Sequence, residues 1–300
     1  MKIFDCVTYY DEELLFDIRC HHLDSFVDYF VVVEAKFTHS GEPKKLSFDI
    51  NKFPKFKNKI IYHIIENQPE DIKKISINNN TNDNLSIKRL NSLKRIEQSY
   101  DETTKVLRGY YQPDDYYMLS DSDEIPKINK KIFINNKNKI IVFKQKFFYY
   151  KFNLFYDLLP WFGTRACKFG NLHSPTWLRN SKYKKYPFWR LDTFFSNTKF
   201  ISLNIIDDGG WHFSNLKTLD KIIEKLNNSG HHDEYDKGIE TISIIREMIK
   251  KKQVYYDHFV DQRKSNKIRE IGYDLKKIKL NILPKYIQDN KEKLSKFIET

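Results

Sequence analysis

Tyr116-Tyr117-Met118-Leu119-Ser120-Asp121-Ser122-Asp123-Glu124-Ile125-Pro126 delivers an apolar run into three carboxylates within four residues and then meets a proline. The run of Tyr, Met and Leu reads as a buried strand. Pro126 interrupts a strand ladder or a helix, so the acids are predicted at the strand's C-terminal end. In open α/β sheets that edge is where ligands bind. Asp121 and Asp123 point the same way if the chain is extended, and can wrap one cation if it turns. A hard divalent ion, Mg²⁺ or Mn²⁺, held by one or two carboxylates and completed by substrate phosphates, suits this pattern. The competing reading is an acidic turn that caps a following helix.

Working outward, residues 3–10 read as a first strand, and Asp11, Glu12 and Glu13 place acids in the first turn of a helix through Leu14, Leu15, Ile18 and Leu23. Residues 29–33 form a second buried strand ending at Glu34, with Thr38-His39-Ser40-Gly41 as a loop at the same edge, and residues 59–65 form a third. A polar loop over 78–84 leads to a helix over 85–108, and the acid-bearing strand follows it. This alternation predicts an α/β fold. Residues 140–152 read as one long aromatic strand, Trp161 as a loop residue able to stack on a sugar ring, and residues 200–206 as a further strand. From residue 216 onward the spacing is helical over 218–226, 239–250 and 285–299. The predicted organisation is a catalytic unit over 1–240 with a helical extension over 241–300.

A chain of 300 residues that is 40% hydrophobic can bury a sizeable core. The net charge of +12 favours phosphorylated or polyanionic ligands, but lysines are scattered rather than concentrated, which argues against a nucleic-acid-binding protein. Cys6, Cys20 and Cys167 are odd in number and have no CxxC spacing, so neither a disulfide framework nor a zinc site is expected. Residues 1–11 leave no room for the apolar region of a signal peptide, and no apolar stretch is long enough to span a bilayer. The expectation is a cytoplasmic protein whose basic patches can rest on an anionic membrane surface.

Two further polar clusters stand out. Asp207-Asp208-Gly209-Gly210-Trp211-His212-Phe213-Ser214 combines glycines that allow close backbone approach with a stacking ring and a donor or metal ligand. His231-His232-Asp233-Glu234-Tyr235-Asp236 reads first as an exposed helix start.

Taken in order, the N-terminal block at residues 1–6, the block at 28–35 with Thr38-His39-Ser40-Gly41, Ser120-Asp121-Ser122-Asp123-Glu124-Ile125-Pro126 and Gly210-Trp211-His212-Phe213-Ser214 resemble glycosyltransferase family 17. The resemblance implies a GT-A-like, Rossmann-related nucleotide-sugar-binding fold with a mixed central sheet. It also implies inverting transfer of a sugar, N-acetylglucosamine from UDP-GlcNAc, onto the hydroxyl of a glycan or glycolipid acceptor. Asp121 and Asp123 would then be the DxD pair that holds Mn²⁺ or Mg²⁺ on the diphosphate, with Glu124 beside them. Thr8, Glu34, His39, Ser40, Arg165, Trp211 and His212 would be nucleotide-sugar-binding residues, and Asp208 and Glu234 are the candidates for the catalytic base. The animal members of that family carry a membrane anchor, whereas the catalytic text here starts at residue 1. Two rival readings are a phosphohydrolase of the haloacid-dehalogenase type, disfavoured by Glu124-Ile125 after the second Asp, and a basic nucleic-acid-binding protein with a structural acidic turn.

Overall fold

The computed structural model describes residues 1–75, 81–184, 186–187, 189–199, 201–228, 242–256, 258 and 268–300. Four parallel strands make its first half: β1 (Ile3–Tyr9), β2 (Tyr29–Ala35), β3 (Ile60–Ile65) and β4 (Tyr116–Asp121), ordered β3-β2-β1-β4. Helix α1 (Glu13–Leu23) joins β1 to β2, and α2 (Thr81–Lys105) precedes β4. Period-two alternation sends successive side chains to opposite faces. Ile3 and Val7 of β1, with Tyr116 and Met118 of β4, pack under Phe16 of α1 and a cluster of Phe30, Phe48, Phe53 and Phe56. Phe4 and Cys6, with Tyr117 and Leu119, pack on the other face beneath α2.

Next come β5 (Glu124–Pro126), the short helix α3 (Lys130–Ile134), β6 (Ile140–Tyr149) and β7 (Leu154–Lys168). Helix α4 (Pro175–Asn180), β8 (Leu203–Ile206) and β9 (Gly210–Ser214) follow. The sheet continues β4-β7-β6-β9-β5, with β8 also paired to β6. β7 is antiparallel to β4 and β6, and β5 is antiparallel to β9, so the ten-stranded sheet is mixed. It must also curl. Only Ser122 and Asp123 separate β4 from β5, a reach of about 11 Å, whereas four flat strand spacings would need roughly 19 Å. That curl places the acidic turn inside a concavity. Pro126 ends β5 and pairs with Gly210, which is tolerated because β5 is an edge strand.

Trp161 lies within β7 and not in a loop, because the 140–152 pattern breaks near Tyr150, which has φ 62°, and the aromatic run resumes as a second strand. The C-terminal region is only partly helical. Helix α5 (Leu219–Asn228) and α6 (Ile242–Lys251) agree with the spacing, but β10 (Gln253–Tyr256) and β11 (Ile268–Asp274) form a two-stranded antiparallel sheet, and β12 (Lys276–Lys277) adds to β7. β-branched and aromatic residues such as Val254 and Tyr255 favour that outcome. Helix α7 (Lys285–Asp289) is short, and Leu283, Ile287 and Leu294 pack against Phe152 and Phe213. The predicted loop at 78–84 falls partly in α2 and partly outside the described residues.

Candidate functional site

At the C-terminal ends of β1, β2 and β4 opens a cleft of about 590 Å³, and Thr8, His39, Asp121, Asp123 and His212 line it. The register aligns Thr8 with Asp121 and Val33 with Thr8, so the ends of three parallel strands form one rim.

Asp121 ends β4 on the α2 side, where the Tyr100 hydroxyl donates to Oδ1 at 2.8 Å and Arg179 Nη2 pairs with Oδ2. Arg179 comes from α4, a helix started by Ser174, whose Oγ accepts from Trp177 N, and by Pro175 at its first turn. The same guanidinium reaches Glu124 Oε1 at 2.8 Å, Glu124 Oε2 at 3.1 Å and the Gly163 carbonyl at 3.1 Å. Trp161 Nε1 donates to Glu124 Oε1 at 2.7 Å and the Asp121 amide donates to Oε2 at 3.2 Å. Glu124 is fully buried and fully engaged, so it fixes the turn. Burial pushes its carboxyl up, but Arg179 outweighs that and holds it below the ordinary glutamate range. Asp121 shifts the other way, because burial outweighs the pull of Arg179.

Asp123 stands on the other side of the turn. His212 Nε2 lies 3.4 Å from Oδ1 and Lys225 Nζ, from α5, lies 3.1 Å from Oδ2. Burial raises this carboxyl, yet Lys225 and His212 together hold it far below the ordinary aspartate range. The His212 ring stacks on Trp161, at 4.4 Å, and on Phe147, at 4.6 Å, and those two rings also meet each other at 5.4 Å. Among the described residues its Nδ1 has no partner.

Gly163 matters because there is no room for more: a Cβ there would stand 2.6 Å from the Glu124 carboxyl and closer still to Gln145 Oε1. Gly163→Ala is therefore expected to destabilise the protein by about 1–3 kcal/mol. A denaturant melt checks this, and an unchanged midpoint would mean that Glu124 is not wedged as described.

The other sequence-derived residues divide by strand parity and strand direction. His39 lines the cleft, and its loop is tied down by Arg95, whose Nη1 donates to the His39 carbonyl at 3.0 Å. Ser40 Oγ lies 2.8 Å from Thr38 Oγ1 and shapes the same loop, but it is not a lining residue. Glu34 belongs to the opposite face from Val33, and its carboxylate is consumed by the Ser47 and Phe48 amides, Tyr62 and Lys44. Trp211 likewise faces away from the cleft that its neighbour His212 enters, and donates from Nε1 to the Ile282 carbonyl at 2.8 Å. Asp208 precedes β9, whereas the cleft lies at the strand's far end, by Ser214. Its carboxylate is ion-paired with Lys127 and Lys146 at the surface. Arg165 is buried beneath α4, donates to the Leu178 carbonyl at 3.2 Å and has its pKa lowered to about 10 by burial and by Arg179. Glu234, with the whole His231–Asp236 cluster, lies outside the described residues.

A profile of the family described as glycosyltransferase family 17 matches residues 1–298. The chain belongs to glycosyltransferase family 17. Among its relatives are the human (Homo sapiens) and rat (Rattus norvegicus) β-1,4-mannosyl-glycoprotein 4-β-N-acetylglucosaminyltransferases, each 26% identical over 147 residues. Those matches cover 44% of this chain and 23% of the relatives' own length. Among solved structures, HddC from Yersinia pseudotuberculosis aligns at 10% identity with a TM-score of 0.31, covering 71% of this chain and 91% of that one.

In this family 17 chain, sequence reading missed Tyr100, Arg179 and Lys225. Arg179 and Lys225 come from helices distant in sequence from the acidic turn, Tyr100 comes from the helix just before its strand, and each resembles any other Tyr, Arg or Lys of a chain with 52 basic residues and 19 tyrosines. A local signal that could have pointed to the helix of Arg179 is the Ser174-Pro175 start, which the sequence reading did not use. Among the described residues no group of three or more His, Cys, Asp or Glu is arranged to hold a metal ion, and no helix is long and apolar enough to cross a membrane.

Proposed function

We propose that this glycosyltransferase uses a GT-A-like sheet to bind a nucleotide sugar, UDP-N-acetylglucosamine, and passes the sugar with inversion to the hydroxyl of a glycan or glycolipid. The observation that supports this reading is the juxtaposition of two cleft-facing carboxylates, Asp121 and Asp123, with Arg179 and Lys225 at a parallel-strand edge. The names of the human and rat relatives support the choice of sugar.

Asp121 and Asp123 are hard carboxylate donors of the type that suits Mn²⁺ or Mg²⁺ completed by a diphosphate. Such an ion, held by Asp121 and Asp123, would neutralise charge developing on the departing nucleoside diphosphate. The chain's own residues prepare the rest. Arg179 fixes Asp121 and offsets part of the effect of its burial, Glu124 locks the turn, and the Trp161 and Phe147 rings pack His212 beside Asp123. On the Thr8 side Tyr10 offers an aromatic face for a base, and Tyr149, Tyr150 and Tyr256 also line the cleft, where an acceptor sugar would lie. The proton released by the acceptor needs a base, and the described cleft offers Glu12, whose pKa burial raises and whose carboxylate is held by Lys217 at 3.0 Å and by the Tyr10 and Asp11 amides.

Lys225 already occupies one oxygen of Asp123, so an incoming cation must displace it. Lys225→Met is therefore expected to tighten Mn²⁺ binding by about tenfold, measured by calorimetry or by the loss of the free Mn²⁺ resonance. In the same samples, UDP-N-acetylglucosamine should raise the melting temperature of the wild type, and more so with Mn²⁺. No shift with this or any other nucleotide sugar would sink the donor assignment; an unchanged Mn²⁺ affinity would sink the competition.

A further inference from the structure

Residues 182–199 contain six aromatics and five basic residues against one acid. They leave the cleft wall directly after α4 and return to it. The Lys182 amide donates to the Thr198 carbonyl at 2.8 Å, Trp177 Nε1 donates to the Asn197 carbonyl at 2.7 Å, and Tyr183 stacks on Phe162 at 3.9 Å. Inside the loop, the Arg190 amide donates to Pro187 at 3.1 Å and the Thr193 amide to Arg190 at 3.0 Å, around a fully buried Thr193. Among the described residues of this segment, four large apolar side chains are nonetheless exposed. Trp189 is 69% exposed, Leu191 67%, Phe194 57% and Phe195 92%.

Single exposed apolar side chains are ordinary, but four large ones within seven residues are not. Lys182, Lys184 and Arg190 are exposed beside them, and Lys199 lies at the loop's end. The one acid, Asp192, is neutralised by Arg190 at 2.7 Å and approached by Lys199 at 4.0 Å. An occupant of this face must therefore take up aromatic rings and offer negative charge. A protein partner would satisfy the first demand with a shaped pocket. A bilayer with anionic headgroups satisfies both without one, because Trp and Phe settle at the acyl boundary while Lys and Arg stay among the headgroups.

We propose that the 182–199 loop docks this enzyme on an anionic lipid surface, with Trp189, Leu191, Phe194 and Phe195 inserted at the interface and the lysines and arginine around them on the headgroups. The loop begins just after Arg179, so docking would set the mouth of the cleft close to the lipid. The proposal concerns binding and does not depend on the transfer reaction.

Vesicle co-sedimentation tests it, with the full chain mixed with phosphatidylcholine alone or with equal parts of phosphatidylcholine and phosphatidylglycerol. The protein should pellet with the anionic vesicles only, and less at high salt. Trp189→Ser/Phe195→Ser should lower the partition by about tenfold or more. Its melting temperature should stay unchanged, since both side chains are largely exposed. Lys182→Glu/Lys184→Glu should weaken binding in the anionic series. No binding to anionic vesicles, or binding that the aromatic double variant leaves intact, would overturn the proposal. So would a wild-type dimer that the same variant converts to monomer, because the face would then cover a second copy.

Discussion

Asp123→Asn is expected to cut sugar transfer by at least about a hundredfold while the protein stays folded. The carboxylate sits in the cleft between His212, at 3.4 Å, and Lys225, at 3.1 Å, and its pKa is held far below the ordinary range. It is thus an anion at every pH at which the protein would be assayed, and asparagine removes the charge without changing the shape. Linkage has the same sign. A depressed carboxylate contributes stability above its unfolded pKa of about 4, and that contribution is lost only as pH falls through the lower folded value. At neutral pH the variant should therefore lose a few degrees of melting temperature from the unpaired Lys225, and most of its turnover. A thermal melt measures the first effect, and release of UDP from UDP-N-acetylglucosamine in the presence of acceptor the second. Full turnover in a folded Asp123→Asn protein would remove this carboxylate from the reaction.

The acidic turn could be read early because all of its determinants are local. An apolar strand, two serines and three acids lie within eleven residues, and strand parity settles the rest. The same parity explains what reading missed. Glu34 and Trp211 sit in the right strands but on the wrong faces, and no residue-level signal near Glu34 says which of two buried faces meets the ligand. Asp208 lies at the wrong end of β9, a matter of strand direction, which is fixed by β6 lying parallel to it. Arg179 and Lys225 are long-range partners, and a helix sequence does not state where its outward charges will land. The β10–β11 pairing was hidden for a similar reason, since a short aromatic stretch after a helix continues either pattern until a partner strand decides.

Arg19→Met is expected to lower the unfolding free energy by about 3–5 kcal/mol, the largest stability effect of any single change considered. Both Arg19 and Asp5 are completely shielded from solvent. The guanidinium meets Asp5 through two nitrogens, donates from Nη2 to Ser120 Oγ at 2.8 Å and from Nη1 to the Glu124 carbonyl. One side chain of α1 therefore ties β1, β4 and β5 together beneath the acidic turn, at the place where the sheet has to curl most tightly. Methionine matches the length of the stem but leaves the Asp5 carboxylate buried without its counter-charge and strips the Glu124 carbonyl of its donor. The cost comes mainly from the stranded anion, not from the lost attraction. Asp5→Asn/Arg19→Met should accordingly recover a good part of the loss of Arg19→Met alone, with a coupling of at least about 2 kcal/mol in a double-mutant cycle read by urea denaturation. Additive losses would mean that the two groups are not a pair. If stability recovers in the double variant but donor affinity does not, the bond to the Glu124 carbonyl is what holds the carboxylates of the turn in register for the nucleotide sugar.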